Sequence, residues 1–378
     1  MGGENTSSSA IPTCLLKSVV SLVASGKTVH RDANGRNPLY GSTGQIGATN
    51  LIEFSGPSIL VARVGANAGS VYKVDGQYGV SDNTLVIRPA VDQDVNFLTE
   101  VLRHANLNRM VYGSGQPLVT GTVLKSLEVP NLPLKNQQRI AAALGDVDIL
   151  LAALERLIAK KEEIKKGLMQ RFLTPVDAPA TWAHVRLLDL VSIRSGQVDP
   201  KGERYRDLPL IAPDHIASGS GRLLAKRSAA EQGAISGKYL VEPGDVIYSK
   251  IRPYLQKVYR CKFSALCSAD MYPFTPKPGV SGSFILHTIL GKKFTDFAVS
   301  VSARSGIPKI NRAELAEFEL MVPPFAEQEV IGQVLDDADK QIVTLQRSVA
   351  KYKAIRVGML QELLTGRTRL PISEGDAS

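Results

Sequence analysis

The stretch PLKNQQRIAAALGDVDILLAALERLIAKKEEIKKGLMQRFLT, residues 133–174, decides the organisation of this chain because it occurs twice. Its counterpart, PFAEQEVIGQVLDDADKQIVTLQRSVAKYKAIRVGMLQELLT, occupies residues 324–365, so the two copies align without a gap at an offset of 191 residues. A fixed offset maintained over a long stretch indicates an internal duplication, and a duplication has to be recognised before the fold is predicted.

Each copy is predicted to form one long helix of a coiled coil. The segment 136–173 contains no proline, and its apolar residues recur with the 4-3-4-3 spacing of a coiled-coil seam. Pro133 and Pro324 precede the two helices, and Pro175 and Pro371 follow them, as expected of helix boundaries. The predicted seam consists of Ile140, Leu144, Val147, Leu151, Leu154, Ile158, Ile331, Leu335, Ile342, Leu345, Val349 and Tyr352. Because neither helix has an apolar face broad enough for stability alone, we expect the two to pack against each other in antiparallel orientation.

Two lysines, Lys161 and Lys165, interrupt this seam in the first copy. A nuclease would require clustered carboxylates that hold metal ions, and Glu163-Ile164-Lys165 has no partnered aspartate upstream. We therefore interpret this tripeptide as part of a solvated helix face.

The duplication continues upstream of the helices at a slightly smaller offset of 187 residues. SILVARVGANAGSVYKV (58–74) parallels the segment around GDVIYSKIRPYLQKVYR (244–260), with Ser58 aligned to Asp245: the apolar frame is retained, whereas the polar and charged residues differ. At the start of each copy, Pro38-Leu39 also matches Pro209-Leu210. The repeat therefore predicts two related globular modules.

The predicted fold class is α+β, with two globular modules separated by two long antiparallel helices and related by an approximate two-fold axis. Strands are predicted at 58–64, 84–87, 245–251 and 271–275, and short helices at 98–106 and 283–290. The predicted divisions are a flexible leader (1–10), module 1 (11–133), spacer helix 1 (134–175), module 2 (176–323), spacer helix 2 (324–366) and a C-terminal tail (367–378). The alternative is that the two helices are ordinary core helices of a single domain.

The charge of the chain is unevenly distributed. The net charge is +9, of which residues 176–323 carry +6 and residues 1–134 only +1. A basic excess favours a polyanionic partner, here mainly for the second module. Three cysteines without paired spacing are typical of reduced thiols, and no apolar run is long enough to predict a membrane span.

Two short motifs resemble parts of enzyme sites. SGKT (25–28) ends like a phosphate-binding loop, but Ser21 stands where that loop needs glycine, and the polar stretch that follows disfavours the required helix. NPLY (37–40) resembles the four-residue motif of amino-methyltransferases, with Leu39 in place of the usual second proline. We interpret NPLY as a turn that enters a strand. The histidines are scattered without ligand spacing, so the chain is predicted to be non-catalytic on its own.

Polar and basic residues in the modules are the candidates for DNA contacts, because Arg and Lys pair with guanine, Asn and Gln pair with adenine, and other basic groups hold phosphates. A solvated surface charge is the alternative for each of them. The candidates are Lys27, Tyr40, Ser42, Thr43, Gln45, Arg63 and Asn67 in module 1, and Arg204, Arg206, His215, Lys250, Arg252 and Arg304 in module 2.

The order of variable module, long helix, variable module and long helix resembles the specificity subunits of type I restriction-modification systems. The matching segments are PLYGSTGQIG (38–47), SILVARVGANAGSV (58–71), VPNLPLKNQQRIAAALGDVD (129–148), KKEEIKKGLMQRFLT (160–174), VPPFAEQEVIGQVLDDAD (322–339) and GMLQELLTGRTRL (358–370). The resemblance covers nearly the whole chain, and its most specific motifs lie in the helices and in the proline-containing segments before them.

The resemblance implies that each module is a target-recognition domain for one half of a split double-stranded DNA target, with an unread spacer between the halves. It implies that the helices set the spacing and bind two modification (methyltransferase) subunits, which restriction subunits, ATP-dependent translocases and nucleases, then join. No cofactor is expected on this chain, since S-adenosylmethionine, ATP and Mg²⁺ would belong to those partners. The implied location is the cytoplasm of a prokaryotic cell, without a membrane partner.

Three other interpretations remain open at this point. The chain could serve a fused restriction-methyltransferase of another type as its specificity subunit. It could be a coiled-coil scaffold without a DNA-reading role. It could also be a nucleotide- or methyl-donor-dependent enzyme built on residues 25–28 or 37–40.

Overall fold

The computed structural model describes residues 11–28, 30–110, 118–303 and 306–368. The predicted leader at 1–10, the tail from residue 369 onward and the candidate Arg304 lie outside the described residues. The chain forms two compact units, of which unit 1 comprises residues 1–154 and 348–378 and unit 2 comprises residues 155–347.

Unit 1 contains module 1 and one half of each long helix. Its elements in chain order are β1 (Thr13–Leu15), β2 (Val20–Ser25), β3 (Asn37–Gly41), β4 (Gly44–Thr49), β5 (Phe54–Ser55), β6 (Ser58–Ala62), β7 (Val71–Val74), β8 (Gln77–Val80), β9 (Thr84–Pro89), α1 (Val95–His104), α2 (Gly121–Lys125), β10 (Glu128–Pro130) and α3 (Leu134–Leu173).

Two four-stranded sheets form the body of module 1, in the orders β2-β9-β6-β7 and β4-β3-β8-β5, and β3 runs parallel to β8. Strand β6 is buried on both faces, and it is apolar from Ile59 to Ala62. Ile59 and Val61 pack into the core that contains α1, whereas Leu60 packs with Tyr78 of the second sheet. The small sheet β1-β10 places the start of the module beside the segment that leads into α3.

Unit 2 contains module 2 and the other halves of the long helices. Its elements are β11 (Ala183–Arg186), α4 (Leu187–Leu190), β12 (Val191–Ile193), β13 (Gln197–Val198), β14 (Leu210–Ile211), β15 (Lys238–Val241), β16 (Val246–Ser249), β17 (Val258–Arg260), β18 (Ala265–Cys267), β19 (Met271–Pro276), α5 (Gly282–Leu290), α6 (Lys292–Ser302), α7 (Arg312–Ala316), β20 (Glu319–Val322) and α8 (Phe325–Thr365).

The inner strands of module 2 repeat those of module 1. The sheet β12-β19-β16-β17 has the same order as β2-β9-β6-β7, and β14 runs parallel to β18 as β3 does to β8. Leu210 pairs with Leu266 as Leu39 pairs with Gly79, which supports the sequence match at Pro38-Leu39. The outer strand differs, because β4 extends the second sheet beside β3 in module 1, whereas β13 extends it beside β15 in module 2.

The long helices are antiparallel in both units, as predicted. In unit 1, Ile140 and Leu144 near the start of α3 share a core with Leu360 and Leu363 near the end of α8. In unit 2, Leu173 at the end of α3 shares a core with residues near the start of α8. The buried seam residues are Ile140, Leu144, Leu151, Ile331, Leu335, Ile342 and Val349, and the half-buried ones are Val147, Leu154, Ile158, Leu345 and Tyr352.

The interpretation of residues 163–165 as a solvated helix face is wrong for Lys165. Glu163 and Ile164 are exposed, but only 10% of the Lys165 side chain is accessible, and its ammonium group lies 2.6 Å from a carboxylate oxygen of Asp339. The lysine that interrupts the apolar seam at this position therefore forms an ion pair between the two helices. In the described part of the chain, no helix is both long and apolar enough to cross a membrane.

Candidate nucleic-acid interface and helix junctions

One loop of module 1, residues 81–83, brings two of the candidate residues together. The Ser81 amide donates a hydrogen bond to the Tyr40 carbonyl at 2.9 Å, and the Arg63 amide donates to the Asn83 carbonyl at 2.9 Å. The Arg63 guanidinium also donates to the Asp82 carbonyl at 3.1 Å. The end of β3 and the residue after β6 are thus held against the same loop.

Module 2 repeats this arrangement at its loop 268–270. The Lys250 amide donates to the Asp270 carbonyl at 3.0 Å, and the Lys250 ammonium donates to the Ala269 carbonyl. At the offset of 187, Lys250 is the counterpart of Arg63 and Ala269 is the counterpart of Asp82. Burial, followed by the charge of Lys309, lowers the pKa of Lys250 below its ordinary value.

That Arg63 and Lys250 also reach base edges stays a prediction. Both cationic groups are engaged inside their own modules, where each holds the same loop carbonyl in place. A contact that is common to both copies belongs to the shared framework, since residues that read different half-sites would have to differ.

His215 is also a structural residue rather than a base contact. Its side chain is 7% exposed, and its Nδ1 accepts a hydrogen bond from the Ala212 amide at 3.2 Å. This contact closes the short turn 213–215, so the imidazole cannot reach a groove of DNA.

Several candidates in module 1 do lie at the surface. Thr43 and Gln45 are exposed in the hairpin between β3 and β4, and Gly44 has a φ of +94°, a left-handed conformation that glycine adopts without strain. Ser42 is half-buried, and its carbonyl accepts a hydrogen bond from Tyr72 at 3.3 Å. Tyr40 is half-buried, whereas Lys27 and Asn67 are exposed.

Three candidates in module 2 are exposed as well. The Arg204 guanidinium lies 5.6 Å from the ring centroid of Tyr205, and Arg206 lies 3.9 Å from the carboxylate of Asp207. Arg252 is exposed next to a short turn. The sequence analysis did not predict the exposed Tyr254, Lys309 and Arg312. A position-by-position comparison of the two copies would have identified them, because these positions are basic or aromatic only in module 2.

A buried glutamine joins each module to a long helix. In unit 1, Gln137 accepts a hydrogen bond from the Asp94 amide at 2.9 Å and donates one to the Leu132 carbonyl at 2.8 Å. In unit 2, Gln328 accepts from the Ser281 amide at 3.0 Å and donates to the Pro323 carbonyl at 2.9 Å. Asp94 and Ser281 are the N-cap residues of α1 and α5, so each glutamine fixes a module helix against the start of a long helix.

An ion pair across the long helices is likewise repeated. Arg356 of α8 binds both carboxylate oxygens of Asp148 of α3 at 2.5 and 2.8 Å, and it contacts Glu100 of α1 at 2.8 Å. The Asp148 hydrogen bonds raise the pKa of the guanidinium. At the offset of 191, Arg356 and Asp148 correspond to Lys165 and Asp339, which form the ion pair of unit 2.

The comparisons with known proteins agree with this arrangement. The sequence model of the family described as "Type I restriction modification DNA specificity domain" matches residues 18–166 and again residues 179–351. The type I restriction enzyme EcoDI specificity subunit of Escherichia coli is 27% identical over 375 residues, covering 88% of this chain and 82% of that protein. The type I restriction enzyme MjaVIII specificity subunit of Methanocaldococcus jannaschii is 21% identical, covering 82% and 79%.

The chain belongs to this family. Among solved structures, the S subunit of the type I restriction-modification system from M. genitalium matches with a TM-score of 0.64 at 14% identity, covering 98% of this chain and 99% of that one. A chain from a study of complex assembly in the type I R-M system matches with a TM-score of 0.56 at 18% identity, covering 95% and 98%. These structural matches support the fold of a type I specificity subunit, the non-catalytic component that defines the family.

In this specificity subunit, the motif at residues 25–28 that resembles a phosphate-binding loop binds the carboxylate of Glu53. The amides of Lys27 and Thr28 donate hydrogen bonds to the Glu53 carboxylate at 2.7 and 3.1 Å, and the Thr28 hydroxyl donates at 2.6 Å. A Cβ atom on Gly26 would lie 2.3 Å from the Val80 carbonyl oxygen, so the glycine serves close backbone packing. An internal carboxylate therefore takes the place that a nucleotide phosphate would need.

The second enzyme-like motif forms regular secondary structure in the specificity subunit. Residues 37–40 lie in β3, where Leu39 is buried and the Tyr40 ring meets the Tyr78 ring edge-on at 5.9 Å. Burial raises the pKa of Cys261 to about 12 and also raises the pKa of Cys267, so neither thiol is a ready nucleophile. Among the described residues, no group of three or more His, Cys, Asp and Glu side chains could hold a metal ion.

Unit 2 of the specificity subunit has a groove of about 1320 Å³ between the long helices and module 2. Basic side chains dominate its charged lining, which includes Lys166, Arg222, Lys292 and Lys293. Lys292 is paired with Asp296, and the Lys293 ammonium lies 5.9 Å from the Phe318 ring centroid. Apolar side chains, among them Met169, Leu290 and Ile342, line the groove as well, so its surface is of mixed character.

Proposed function

We propose that this specificity subunit reads a bipartite double-stranded DNA target, one half with each module, and leaves the bases between the halves unread. The observation that carries this proposal is the division of each module into a common frame and a variable edge. Three features are the same in both copies: the order of the inner strands, the buried glutamine at the start of each long helix, and the cationic side chain that binds a loop carbonyl. The outermost strand differs. Two modules with the same inner strands but a different outermost strand are suited to half-sites of different sequence.

The polar surface of the modules is consistent with DNA as the ligand. Module 1 presents Thr43 and Gln45 on a hairpin. Module 2 carries +6 of the net charge of +9 of the chain. Side-chain amides and hydroxyls hydrogen-bond to base edges, and basic groups neutralise phosphates. Of the remaining candidates for such contacts, Tyr40 and Ser42 are half-buried, and the exposed ones are Lys27, Thr43, Gln45 and Asn67 in module 1 and Arg204, Arg206 and Arg252 in module 2.

The long helices provide the surface on which two modification (methyltransferase) subunits would dock. Ile164 on α3 and its counterpart Ile355 on α8 are both exposed, and further exposed apolar side chains on these helices include Ile149, Leu157, Val330, Val334 and Val357. An apolar position that stays exposed in both copies is suited to two copies of one partner. Restriction subunits would join this assembly, and S-adenosylmethionine, ATP and Mg²⁺ would be bound by the partners, in the cytoplasm of a prokaryotic cell.

Mapping of methylated bases tests this function directly. DNA from cells that express the chain together with its modification subunit should carry methyl groups at one split sequence motif. Replacement of residues 11–133 by module 1 of another specificity subunit should change one half of that motif and leave the other half intact. A replacement that altered both halves would contradict modular reading.

A coiled-coil scaffold without DNA recognition would give a different result in the same experiment. Methylation would then show no sequence preference even with the modification subunit present. That outcome would overturn the proposed function as a whole.

A further inference from the structure

The turn at residues 252–256 of module 2 contains two non-glycine residues in the left-handed region of backbone conformation. Arg252 has a φ of +50° and Gln256 a φ of +48°. Their counterparts in module 1 at the offset of 187 are Gly65, with a φ of +77°, and Gly69, with a φ of +87°. The shared frame therefore requires this conformation at both positions, and module 1 meets the requirement with the residue that adopts it without strain.

The side chain of Gln256 compensates for its strained backbone by contacts inside the module. Its amide nitrogen donates hydrogen bonds to the Thr295 hydroxyl at 2.7 Å and to the Leu290 carbonyl at 3.3 Å. Its backbone carbonyl accepts a hydrogen bond from Gly219. Gln256 thus stabilises the fold of module 2 in a way that a glycine could not.

Arg252 has no comparable compensation. Its amide donates to the Pro308 carbonyl at 2.8 Å, a contact that any residue other than proline would make. Within the described residues, its exposed guanidinium forms no ion pair and no hydrogen bond. Strained backbone conformations persist where the side chain has a role that outweighs their cost, and they concentrate at ligand-binding positions. The role of this side chain therefore lies outside the module.

Further basic and aromatic groups surround Arg252. The backbone of Lys309 forms an isolated antiparallel β-bridge with Ile251, the residue that precedes Arg252, and the Lys309 side chain is exposed. Arg312 is exposed at the start of α7. Both lie near enough to Lys250 to lower its pKa, although burial is the largest cause of that shift. Tyr254, on the same turn, is 55% exposed. Arg252, Tyr254, Lys309 and Arg312 are here called the basic turn.

The basic turn is specific to module 2. The counterparts of Arg252, Tyr254, Lys309 and Arg312 in module 1 are Gly65, Asn67, Leu118 and Gly121, none of which is charged. The basic turn therefore accounts for part of the difference in net charge between the modules. A surface that differs between two copies of one frame is suited to the part of the ligand that differs.

We propose that the basic turn contacts the half-site read by module 2, with Arg252 at a base edge and Lys309 and Arg312 at phosphates. This inference rests on the proposed function and assigns residues to it. A guanidinium held on an exposed turn can donate two parallel hydrogen bonds to O6 and N7 of guanine, the commonest specific contact in the major groove. We therefore expect a guanine in that half-site, and the exposed Tyr254 ring to pack beside the contact.

The variant Arg252→Gly distinguishes a loss of DNA recognition from a loss of stability, because module 1 has glycine, Gly65, at the equivalent position. Glycine relieves the left-handed strain, so the midpoint of thermal unfolding should stay the same or rise by about 2 °C. Binding to a duplex with the mapped target should fall about tenfold or more, and one position of the module 2 half should become degenerate. The half read by module 1 should be unchanged.

Three further variants define the kind of contact. Arg252→Lys keeps the charge but not the paired donors, so discrimination at that base should be lost while nonspecific affinity remains. Lys309→Ala and Arg312→Ala should weaken binding to all sequences and each reduce the slope of log affinity against log salt by about one. Lys262→Ala removes an exposed charge of module 2 outside the basic turn and should leave base discrimination unchanged.

The outcomes distinguish this inference from the proposed function. If wild-type protein reads a split motif and Arg252→Gly reads the same motif equally well, the basic turn is not the contact. If Arg252→Gly unfolds at a lower temperature than wild type, Arg252 has a structural role and the inference is overturned. If wild-type protein has no sequence preference, the proposed function itself fails.

Discussion

At the residue scale, the most informative side chains are polar groups buried at equivalent positions of the two copies. Gln137 and Gln328 are both nearly inaccessible to solvent, and each uses its amide in both directions, as acceptor from an N-cap amide and as donor to a carbonyl before the helix. A buried polar group is tolerated only when its hydrogen bonds are formed. These glutamines therefore hold each module helix in one place relative to the long helix.

Replacement of Gln137 by alanine should destabilise unit 1. The change leaves the partly buried Asp94 amide and Leu132 carbonyl without their partner, and unsatisfied groups of this kind cost about 2 kcal/mol together. Denaturant unfolding of the variant measures the loss. Gln138→Ala is the matched control, since the neighbouring glutamine on the same helix is exposed and its removal should change the free energy of unfolding by less than about 0.5 kcal/mol. Equal effects of the two variants would contradict the junction role.

Asp336 provides a pH-dependent contact at the residue scale. Burial by itself raises the pKa of this carboxyl, but hydrogen bonds from His287 and Ser283 and the charges of His287 and Arg260 outweigh burial and lower the pKa below its ordinary value. His287 on α5 is fully buried, and its Nε2 lies 3.0 Å from the Asp336 carboxylate on α8. The contact ties the module helix to the long helix within unit 2.

Acid should remove the stabilisation that Asp336 provides. Because its pKa is lower in the folded protein than in the unfolded chain, the carboxylate stabilises the fold above the ordinary aspartate pKa of about 3.9 and stops doing so as the pH falls through the lowered value. Asp336→Asn should be less stable than wild type at pH 7, and the difference should shrink below about pH 4. In the control Asp337→Asn, the affected carboxylate pairs with Lys340 at the protein surface, so salt should weaken its effect. A constant difference between Asp336→Asn and wild type down to low pH would contradict this assignment.

At the element scale, the antiparallel helix pair contains a charged contact in each unit where an apolar seam would be expected. Lys165 pairs with Asp339 in unit 2, and Arg356 pairs with Asp148 in unit 1, at equivalent positions of the repeat. Polar groups at seam positions of coiled coils commonly select one register at some cost in stability. The repeated pair is therefore suited to fixing the register of α3 against α8 within each unit.

A double-mutant cycle on Lys165 and Asp339 tests the energetic part of this argument. Asp339→Leu leaves a lysine that is 10% exposed without its counter-charge, and we expect a loss of about 3 kcal/mol. Lys165→Met leaves the more accessible aspartate unpaired and should cost less. The double variant should regain most of the loss, because apolar residues fill the same space without an unpaired charge. Lys166→Met, the adjacent exposed lysine, is the control, and additive single effects would show that the two charges do not interact.

Much of the element-scale description could be predicted from the sequence. The 4-3-4-3 spacing located both long helices to within two residues of their structural bounds, and the short strands at 58–64 and 271–275 correspond to β6 and β19. The role of Lys165 could not be predicted, because its partner lies 174 positions further along the chain. A seam pattern shows where side chains meet another helix but not which charge meets which.

At the scale of the whole molecule, the duplication joins two compact units through two continuous helices. Each helix gives one half to unit 1 and the other half to unit 2. Shared partners would recognise what is common to both copies, and different half-sites would be read by what is not. Under the proposed function, the length of the helices would set the number of unread base pairs, since half-sites read by paired modules are roughly one helical turn, about 34–36 Å, apart.

Insertion of one heptad after Ala159 and another after its counterpart Ala350 should lengthen the unread spacer. Both alanines are exposed, and seven residues preserve the seam pattern while adding about 10 Å to each helix. At about 3.4 Å per base pair, the spacer should grow by about three base pairs without a change in either half-site. Sequencing of methylated DNA measures this. An unchanged spacer would show that the helices do not set the distance, and insertion in α3 alone serves as the control that should disrupt assembly.

The candidate DNA contacts are the part of the site for which residue type was the only guide in the sequence. Residue type alone selected Arg63, Lys250 and His215, because the same cation or imidazole can bind a base or a neighbouring carbonyl. Only their contacts in the folded modules distinguish these uses. Conversely, Tyr254 was missed because an exposed tyrosine stands out only when the two copies are compared position by position.

The sequence by itself determined the duplication, the two long helices and their antiparallel packing, since these depend on apolar periodicity and spacing along the chain, and its motifs carried the resemblance to the family. The tertiary structure decided which polar side chains serve the fold and which face outward, because burial and hydrogen-bond partners depend on residues that are distant in sequence. It also showed that Arg252 adopts a backbone conformation for which module 1 uses Gly65. Strain of this kind is a property of the folded backbone, so no pattern of residue types could have indicated it.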